Sequence, residues 1–560
     1  MRNSVSDQSF AMESDDEEHQ MGGSEDEEES DGSSSCGSPR VVEAAGGGGR
    51  PGSYNNHQWP QSYRQSMDIY SSVQSPSLSG FIGTPTLSRL SSSFLATSFR
   101  GKPPPEVVKP LLPTAAVPTT DNDDDDYVGA PKSSHQYLPP SRKASSLFKI
   151  PEDQKPPAGG GGHDVGPYRQ CSYTQGVMNG VNVLCGVGIL STPYAVRQGG
   201  WLGLAILAVL AVLAWYTGVL LRRCLDSKEG LETYPDIGHA AFGTPGRIVI
   251  SIILYMELYA CCVEYLILES DNLSKLFPNA HLNIGGFSLD AHVLFAIFTT
   301  LVVMPTTWLR DLSCLSFISA GGVVASIVIV SCLFWAGLVD HVGVNKSEGT
   351  ALNLPGIPIA IGLYGYCYSG HGVFPNIYSS LKKSNQFNAV LFTCIALSTV
   401  LFAGAAVMGY IMFGETTESQ FTLNMPPNLM SSKIAVWTTV TNPITKYALT
   451  MTPLALSLEE LLPPNRQTYG NIIMLRSALV LSSLGVALSV PFFGLVMSLV
   501  GSLLTMFVAY ILPCACFLAI LRSTVTWYQI VLCVFIIVVG LCCAGVGTYS
   551  SLSKIIQNYQ

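Results

Sequence analysis

Charged residues are scarce in this sequence, and so are the motifs that enzymes and metalloproteins require. Asp, Glu, Lys and Arg make up 12% of the 560 residues, which is about half of their usual share in soluble domains. We find neither a His-Glu metal motif nor a catalytic cluster of paired His and Asp, and Cys514-Ala-Cys516 has the wrong spacing for a metal knuckle. The sequence therefore predicts no enzymatic activity, no cofactor and no metal site, and it indicates no nucleic-acid partner.

Two signals that would assign the chain to other membrane classes are also missing. The residues after Met1 include no basic stretch followed by an apolar one, so we expect no cleavable signal peptide. The first hydrophobic span is then expected to direct insertion. No repeated filter sequence is present, which argues against an ion channel.

Residues 1–165 differ in composition from the rest of the chain. They are rich in Ser, Gly, Pro and acidic residues, hold nearly all of the net charge of −9, and contain no apolar stretch of bilayer length. Such a segment cannot bury enough apolar surface to offset the loss of chain entropy. We therefore predict a disordered, acidic, cytoplasmic tail over 1–165 and a transmembrane domain over 166–560. The acidic runs are Asp15–Glu18, Glu25–Glu29 and Asp123–Asp126.

Two interpretations of this tail remain open. The simpler one is a solvated acidic segment without a specific partner. The other is a regulatory segment that a kinase recognises. Basic residues precede the serine in Arg142-Lys-Ala-Ser145, and phosphorylation there would add negative charge.

From about residue 170 onward the chain is almost continuously apolar. A helix needs about 20 apolar residues to cross a bilayer, and about eleven segments meet this condition. The sequence therefore predicts an all-α, multi-pass membrane protein embedded in the lipid bilayer. The predicted spans are residues 173–195, 201–222, 247–270, 290–308, 314–338, 356–379, 386–413, 432–457, 472–490, 493–521 and 526–549.

The charges in the loops predict the orientation. If the tail is cytoplasmic, the loops on the same side hold most of the Lys and Arg residues, among them Arg222, Arg247, Arg310 and Arg466. This bias agrees with the positive-inside rule. The two Asn-x-Ser sequons, Asn272-Leu-Ser274 and Asn345-Lys-Ser347, then fall on the opposite side, as glycosylation requires.

Two of the hydrophobic segments contain matching interruptions. Val183–Pro193 and Tyr366–Pro375 each have a cluster of small residues, with a proline five residues after Gly188 or Gly370. Glycine relaxes the backbone and proline removes a hydrogen-bond donor, so both segments should unwind at mid-membrane. Irregular backbone at that depth persists only where it lines a cavity within the protein. The pair therefore indicates a secondary transporter with its binding site at the two breaks.

Four motifs, in this order along the chain, resemble the amino acid/auxin permease family. Gly186–Ala195 is similar to the first-helix signature of that family, and Gly370–Tyr378 is similar to its sixth-helix signature. Asn442–Leu449 resembles the pattern of the eighth helix, and Val490–Ser502 resembles that of the tenth. The similarity covers essentially residues 170–560. It is strongest to the plant-type vacuolar amino acid transporters, relatives of the vesicular inhibitory amino acid transporters.

This resemblance implies a LeuT-like fold, an inverted repeat of five plus five helices with one extra helix. It implies a proton-coupled secondary transporter in the vacuolar membrane, whose partners are a small amino acid substrate, protons and the lipid bilayer. Two alternatives stay open. One is an amino acid sensor that keeps the fold but no longer transports, and the other is a carrier of auxin or another small organic acid.

The chemistry of the first break favours an amino acid independently of this resemblance. Unwinding at Cys185–Gly188 would start a new half-helix near Ile189, whose free N–H groups favour a carboxylate. The preceding half-helix would end in free carbonyls near Gly180–Leu184, which suit an ammonium group. The alternative is that the two glycines only allow close helix packing. The predicted substrate-binding residues of this break are Cys185, Gly186, Val187, Gly188 and Ile189.

The second break adds Tyr368, Ser369 and Gly370 to the predicted substrate site. His371 lies between two glycines at the predicted membrane depth, where ionisable groups are usually functional. Three roles stay open for this histidine. The first role is proton coupling, because histidine titrates near neutral pH. The second is shaping the binding pocket, and the third is a structural hydrogen bond.

Three more charged residues are predicted to lie inside the bundle and to be candidates for proton coupling. Glu257 and Glu264 are seven residues apart, so they share one face of the third span, and Lys446 follows the Asn442-Pro443 break of the eighth. Charges in hydrocarbon are costly, so we predict a Glu–Lys pair. This pair is either a static ion pair or the group that releases and rebinds the coupled proton. Glu269 lies nearer the helix end, and we expect it to reach the interface.

Overall fold

The protein is nearly all helical in the computed structural model, which describes residues 59–71, 171–284, 287–309, 321–343 and 349–560. Among these residues, β-structure is limited to one isolated bridge and one antiparallel hairpin. The hairpin pairs β1 (Leu282–Ile284) with β2 (Phe287–Leu289). The three acidic runs and the Ser145 motif lie outside the described residues.

The first half of the described chain contains one short helix from the tail region and the helices that surround the first break. Their bounds are α1 (Tyr63–Ser71), α2 (Tyr173–Leu184), a 3-10 turn at Val187–Ser191, α3 (Thr192–Gly199), α4 (Gly203–Leu225), α5 (Tyr234–Leu276), α6 (Ala291–Thr307) and α7 (Gly322–Leu338).

The second half begins with the second broken segment and ends with three long spans. The bounds are α8 (Ile357–Tyr366), α9 (Phe374–Ser380), α10 (Phe387–Phe413), α11 (Met430–Leu461), α12 (Tyr469–Ser489), α13 (Phe493–Val500), its π-helical continuation Gly501–Ile511, α14 (Leu512–Ile520) and α15 (Trp527–Gln557). Short 3-10 turns lie at Leu354–Gly356, Ser384–Gln386, Gly414–Thr416, Phe421–Leu423 and Pro464–Arg466.

The all-α, multi-pass architecture predicted from the sequence is confirmed. Six of the described helices are long and apolar enough to cross a membrane, and the bent pair α2 and α3 adds a seventh span. Three shorter helices, α6, α7 and the helix that ends at Tyr366, are also apolar. The count of eleven spans and the inverted repeat stay predictions. The expected break between the spans near residue 490 is present, since α12 ends at Ser489 and α13 begins at Phe493.

One basic residue that we placed in a cytoplasmic loop is buried instead. Arg247 is 3% exposed and forms an ion pair with Asp236, with 3.2 Å between Nη2 and Oδ1. Asp236 also accepts a hydrogen bond from the backbone N–H of Thr233 and so caps the start of α5. A kink at Gly243, where φ is +69°, folds the first turns of α5 back toward Arg247. The apparent loop charge is therefore part of a buried cap.

The predicted disorder of the whole tail is wrong for one short segment. The residues of α1 belong to the same compact unit as the helix bundle, and Tyr63, Ser66 and Met67 are at most 1% exposed. These positions share one face of a helix, because residues three and four apart are neighbours on its surface. The acidic average composition of 165 residues concealed this nine-residue helix.

The second broken segment packs closely against the π-helical stretch. A Cβ added to Gly501 would overlap with the carbonyl oxygen of Gly362, and a Cβ added to Gly362 would overlap with the carbonyl oxygen of Ser498. Backbone therefore lies against backbone where α8 crosses this span. This contact fixes the position of α8 and hence of the second break.

We expect Gly501→Ala to destabilise the protein. The added methyl group must displace the backbone of α8, and overpacking of this kind costs about 1–3 kcal/mol. Gly485→Ala is the matched control, because it adds the same methyl group in α12 at a position with no heavy atom within 4 Å. Thermal unfolding in detergent should show a lower midpoint for Gly501→Ala only. Equal midpoints for the two variants would contradict the proposed backbone contact.

Candidate functional site

The first break forms where it was predicted. α2 ends at Leu184, the chain bends by 49°, and a 3-10 turn begins at Val187. Gly186 has φ −91° and ψ −143°, which is not helical. Within the described ranges, no side chain caps the 3-10 turn. Its first N–H groups have no acceptor within the turn, as at the start of any helix, so they are oriented toward the break.

The second break is also present and is longer. α8 ends at Tyr366, α9 begins at Phe374, and the intervening Cys367–Val373 forms non-helical turns. The predicted site residues Tyr368, Ser369 and Gly370 lie within these turns. Their backbone bonds are short-range, from Ser369 N–H to the Tyr366 carbonyl and from Gly370 N–H to the Tyr368 carbonyl.

The two breaks contact each other. The thiol of Cys367 donates a hydrogen bond to the carbonyl oxygen of Gly188 at 3.8 Å. A Cβ added to Gly188 would lie 3.4 Å from the Cys367 sulfur and 3.4 Å from a ring carbon of Tyr366. A Cβ added to Gly370 would lie 3.0 Å from the side chain of Leu184. The structure therefore joins the two sets of substrate-site residues predicted from the sequence.

Hydroxyl groups from two neighbouring helices hold the first break in place. Ser326 of α7 donates to the carbonyl oxygen of Cys185 at 2.7 Å, and the thiol of Cys185 donates to Ser398 of α10 at 3.3 Å. Both serines are buried. We did not predict these two serines from the sequence, where their only signal is a small polar residue in an otherwise apolar helix.

The ammonium group of Lys446 lies at the carbonyl end of α2. Its Nζ donates to the carbonyl oxygen of Asn182 at 3.2 Å. Among the ion pairs of the described residues, none involves Lys446, so the predicted Glu–Lys pair is wrong. A helix C-terminus carries partial negative charge, and this charge faces the lysine in place of a carboxylate. The carbonyls that we predicted to be free for a substrate ammonium group are therefore partly occupied.

The glutamates of α5 occupy a separate region of the bundle. Glu257 accepts a hydrogen bond from Thr505 at 2.8 Å. Glu264 is fully buried, and its carboxylate lies beside the side chain of Tyr366. Glu269 is 1% exposed, and its carboxylate has no hydrogen-bond partner within the part of the chain that the structure describes. It therefore lies inside the protein, and the expectation that it reaches the interface is wrong.

A small cavity lies between α5 and the two breaks. Its volume is about 30 Å³, and its lining includes Val183 from the first break, Ser369 from the second, and Glu257 and Cys261 from α5. Ligand pockets usually have volumes of about 300–1,000 Å³. In this conformation the breaks and the carboxylate therefore share a cavity that is too small for an amino acid.

His371 is directed away from this cavity. Its Nε2 lies 3.0 Å from Thr217 Oγ1 and 3.2 Å from the carbonyl oxygen of Ala214, both on α4. A carbonyl only accepts, so Nε2 carries a hydrogen in this arrangement. The imidazole also packs against the ring of Phe374 in a tilted arrangement, with 4.9 Å between ring centroids. The structure thus attaches the second break to α4 through His371 and keeps the imidazole apart from the glutamates.

Fold and site together define an all-helical, multi-pass membrane protein with two interrupted helices in contact inside the bundle. The chain belongs to the family of transmembrane amino acid transporter proteins, whose model matches residues 169–553. This match confirms the family resemblance that the four sequence motifs indicated.

Similar proteins come from a plant. Amino acid transporter AVT1C of Arabidopsis thaliana is 57% identical over 522 residues, which cover 91% of this chain and 91% of that protein. Amino acid transporter AVT1B of the same organism is 54% identical over 568 residues, covering 100% and 99%. Among solved structures, MhsT in complex with L-phenylalanine covers 69% of this chain and 100% of its own, with 12% identity and a TM-score of 0.46.

We expect Gly188→Val to abolish or greatly reduce amino acid uptake, whereas Gly188→Ala should retain most of it. The Cβ of alanine would make ordinary contacts with Cys367 and Tyr366. The two further methyl groups of valine would overpack the second break at a cost of about 1–3 kcal/mol. Uptake by purified, reconstituted protein measures the effect, and thermal unfolding verifies the fold of both variants. Normal uptake by a well-folded Gly188→Val protein would show that the break contact is not the site.

A double-mutant cycle tests the position of Lys446. Because Lys446 contacts the carbonyl of Asn182 rather than a glutamate, Lys446→Met and Glu264→Gln should change the free energy of unfolding independently. Independent sites are additive within about 0.3–0.5 kcal/mol, whereas contacting pairs couple by about 0.5–3 kcal/mol. Equilibrium unfolding of both single variants and the double variant in detergent gives the coupling. A coupling energy well above 1 kcal/mol between Lys446 and Glu264 would show that the two side chains form an ion pair and would contradict the position described here.

Proposed function

We propose that this protein is a secondary transporter that carries amino acids through the membrane by alternating access, driven by protons. The observation that carries this proposal is the contact between the two helix breaks in the middle of the bundle. Backbone polar groups are rarely tolerated there unless they serve a site, since an unsatisfied group in hydrocarbon costs several kcal/mol. Broken helices that meet inside a bundle are the usual sites of secondary transporters.

The electrostatics of the first break support an amino acid substrate. The uncapped N–H groups at Val187–Ile189 favour a carboxylate, which every amino acid provides. Lys446 already occupies the opposite, carbonyl end through Asn182. The substrate ammonium group therefore needs other acceptors, and the cavity beside the breaks offers Glu257 and the Ser369 hydroxyl. The names of the two Arabidopsis relatives agree with this substrate class.

Proton coupling is assigned to the buried glutamates. Glu257 lies in the shared cavity and accepts one hydrogen bond from Thr505, and Glu264 is buried on the same helix beside the side chain of Tyr366. A carboxylate that borders the cavity between the breaks can exchange a proton with water when that cavity opens. Lys446 and His371 support the breaks through Asn182 and α4, so we assign them positioning roles.

The vacuolar membrane is the location that we propose, with the N-terminal region in the cytoplasm. The resemblance to plant-type vacuolar transporters supports the location. The excess of Lys and Arg in alternate loops supports the orientation. A proton gradient across such a membrane would supply the driving force that the buried carboxylates require.

Uptake into proteoliposomes tests this proposal. We expect purified protein to accumulate radiolabelled amino acids when a pH gradient is imposed and to equilibrate them when it is not. Auxin as an alternative substrate, and protein-free liposomes, are the comparisons. Binding without uptake at any gradient would indicate a sensor and would contradict the proposed function.

We expect Glu257→Gln or Glu264→Gln to separate transport from its driving force. Glutamine keeps the shape of the side chain but cannot exchange a proton, so gradient-driven accumulation should fall at least about tenfold while amino acid exchange persists. His371→Ala should lower both activities together, since it loosens the second break. Accumulation and exchange are measured in the same proteoliposomes. Unchanged pH dependence in both glutamine variants would place the coupling group elsewhere.

A further inference from the structure

The short helix α1 is seated on the bundle beside the second break. Its Tyr63 hydroxyl donates to the carbonyl oxygen of Gly372 at 3.0 Å. The side-chain amide of Asn376 donates to the carbonyl oxygen of Arg64 and to Asp68, each at 3.2 Å. Gly372 lies in the turns of the break and Asn376 in α9, so α1 binds the second broken segment directly.

The chain just before α1 is fixed to the end of α11. Trp59 donates from its indole N–H to the carbonyl oxygen of Ser457 at 2.9 Å. The carboxylate of Glu460 accepts the backbone N–H groups of Gln61, at 3.0 Å, and of Ser62.

Further contacts tie α1 to the start of α5. Arg64 forms an ion pair with Glu232, just before α5. The rings of Trp59 and Tyr63 each lie 6.0 Å from the ring of Tyr255 in α5. Together with the bonds to α9 and α11, these contacts place the segment across three separate parts of the bundle.

The inner residues of α1 form one wall of the small cavity at the candidate site. Met67 and Tyr70 line it together with Glu257 and Ser369. About 30 Å³ remains, which is room for roughly one or two water molecules and not for an amino acid. The side chains of α1 therefore fill space that a substrate leaving the breaks on this side would have to cross.

We propose that Trp59–Ser71 is a plug, formed by the protein's own N-terminal region, which closes the candidate site toward the face where it docks. Substrate passes this face only after the plug has left. The effect of the plug on substrate passage rests on the proposed transport function. The closure of the site rests only on the contacts that α1 makes with the bundle.

The plug can leave without unfolding the bundle. A helix of nine residues is marginal by itself in water, so it depends on its docking contacts. In the sequence, residues 72–170 lie between α1 and α2, so α1 is not held to the bundle by a short covalent connection. Ser66 is completely buried in the docked state, and its hydroxyl donates to the carbonyl oxygen of Tyr63 at 3.0 Å. A negative charge at this position is therefore incompatible with docking.

Two neighbouring residues give a matched pair of variants. Ser66→Asp places a charge in the buried face of α1, whereas Gln65→Asp places the same charge on its exposed face. Cys261 reports on the plug, because it lines the cavity behind α1 and its sulfur lies 3.2 Å from the Tyr366 hydroxyl inside the bundle. Cys261 is only half-buried while α1 is docked, so a charged, membrane-impermeant thiol reagent should reach it from the plug side at a low rate that rises when the plug is absent.

The experiment uses full-length protein in proteoliposomes, with modification of Cys261 quantified by peptide mass spectrometry. Ser66→Asp should increase the modification rate about tenfold or more, because burial of an unpaired charge costs more than the free energy of one decade. Gln65→Asp should match the unchanged protein. Tyr63→Phe, which removes only the hydroxyl, should give a smaller increase and provides a variant that keeps the fold. Equal rates in all four proteins would overturn the plug.

Uptake measured in the same vesicles separates the two proposals. If the plug limits transport, Ser66→Asp and Tyr63→Phe should raise the uptake rate in the same order as they raise Cys261 modification. If the protein transports and the variants speed up Cys261 modification but leave the uptake rate unchanged, the claim that undocking of the plug limits transport is overturned. Absence of uptake in every protein, including the unchanged one, would contradict the proposed function, while Cys261 modification would still decide the closure.

Discussion

The interruption of two helices inside the bundle is the constraint on which the other features of the structure depend. Each interruption removes backbone hydrogen bonds where lipid offers no replacement. The first break is therefore supported by Ser326 at the Cys185 carbonyl and by Lys446 at the Asn182 carbonyl. The second break is supported from α4, through His371 and the carbonyl of Ala214. In the sequence these residues are isolated polar groups in apolar helices. In the structure they are hydrogen-bond donors to backbone carbonyl oxygens at or beside the breaks.

This constraint also arranges the charges of the site. The partial negative charge at the end of α2 faces a lysine, and the N–H groups that follow the break remain available on the other side of the gap. The glutamates of α5 are left without a cationic partner among the described residues, and Glu257 lies in the cavity next to the breaks. A fixed cation, an uncapped helix start and a separate buried carboxylate can distinguish a zwitterion from a simple anion. In the transport function that we propose, they also respond separately to substrate and to protons.

Much of this architecture was predictable, because it follows from hydropathy and from glycine and proline. The spans, both breaks and the boundary near residue 490 all appear in the sequence as local patterns. The partner of Lys446 was not predictable, since the backbone carbonyl of Asn182 has no signature in the sequence and a carboxylate seemed the natural partner. The burial of Arg247 depends on a kink at Gly243 that folds it toward Asp236. The helix α1 was missed because its buried face amounts to a few residues within a long polar segment.

The central claim is that the two breaks together form the amino acid site. The most direct test is a structure of the full-length protein, determined by electron cryo-microscopy with a bound amino acid. We expect the substrate carboxylate to lie within hydrogen-bond distance of the N–H groups of Val187–Ile189. We also expect the substrate to contact Tyr368–Gly370. Well-defined substrate density that touches neither break would contradict the central claim.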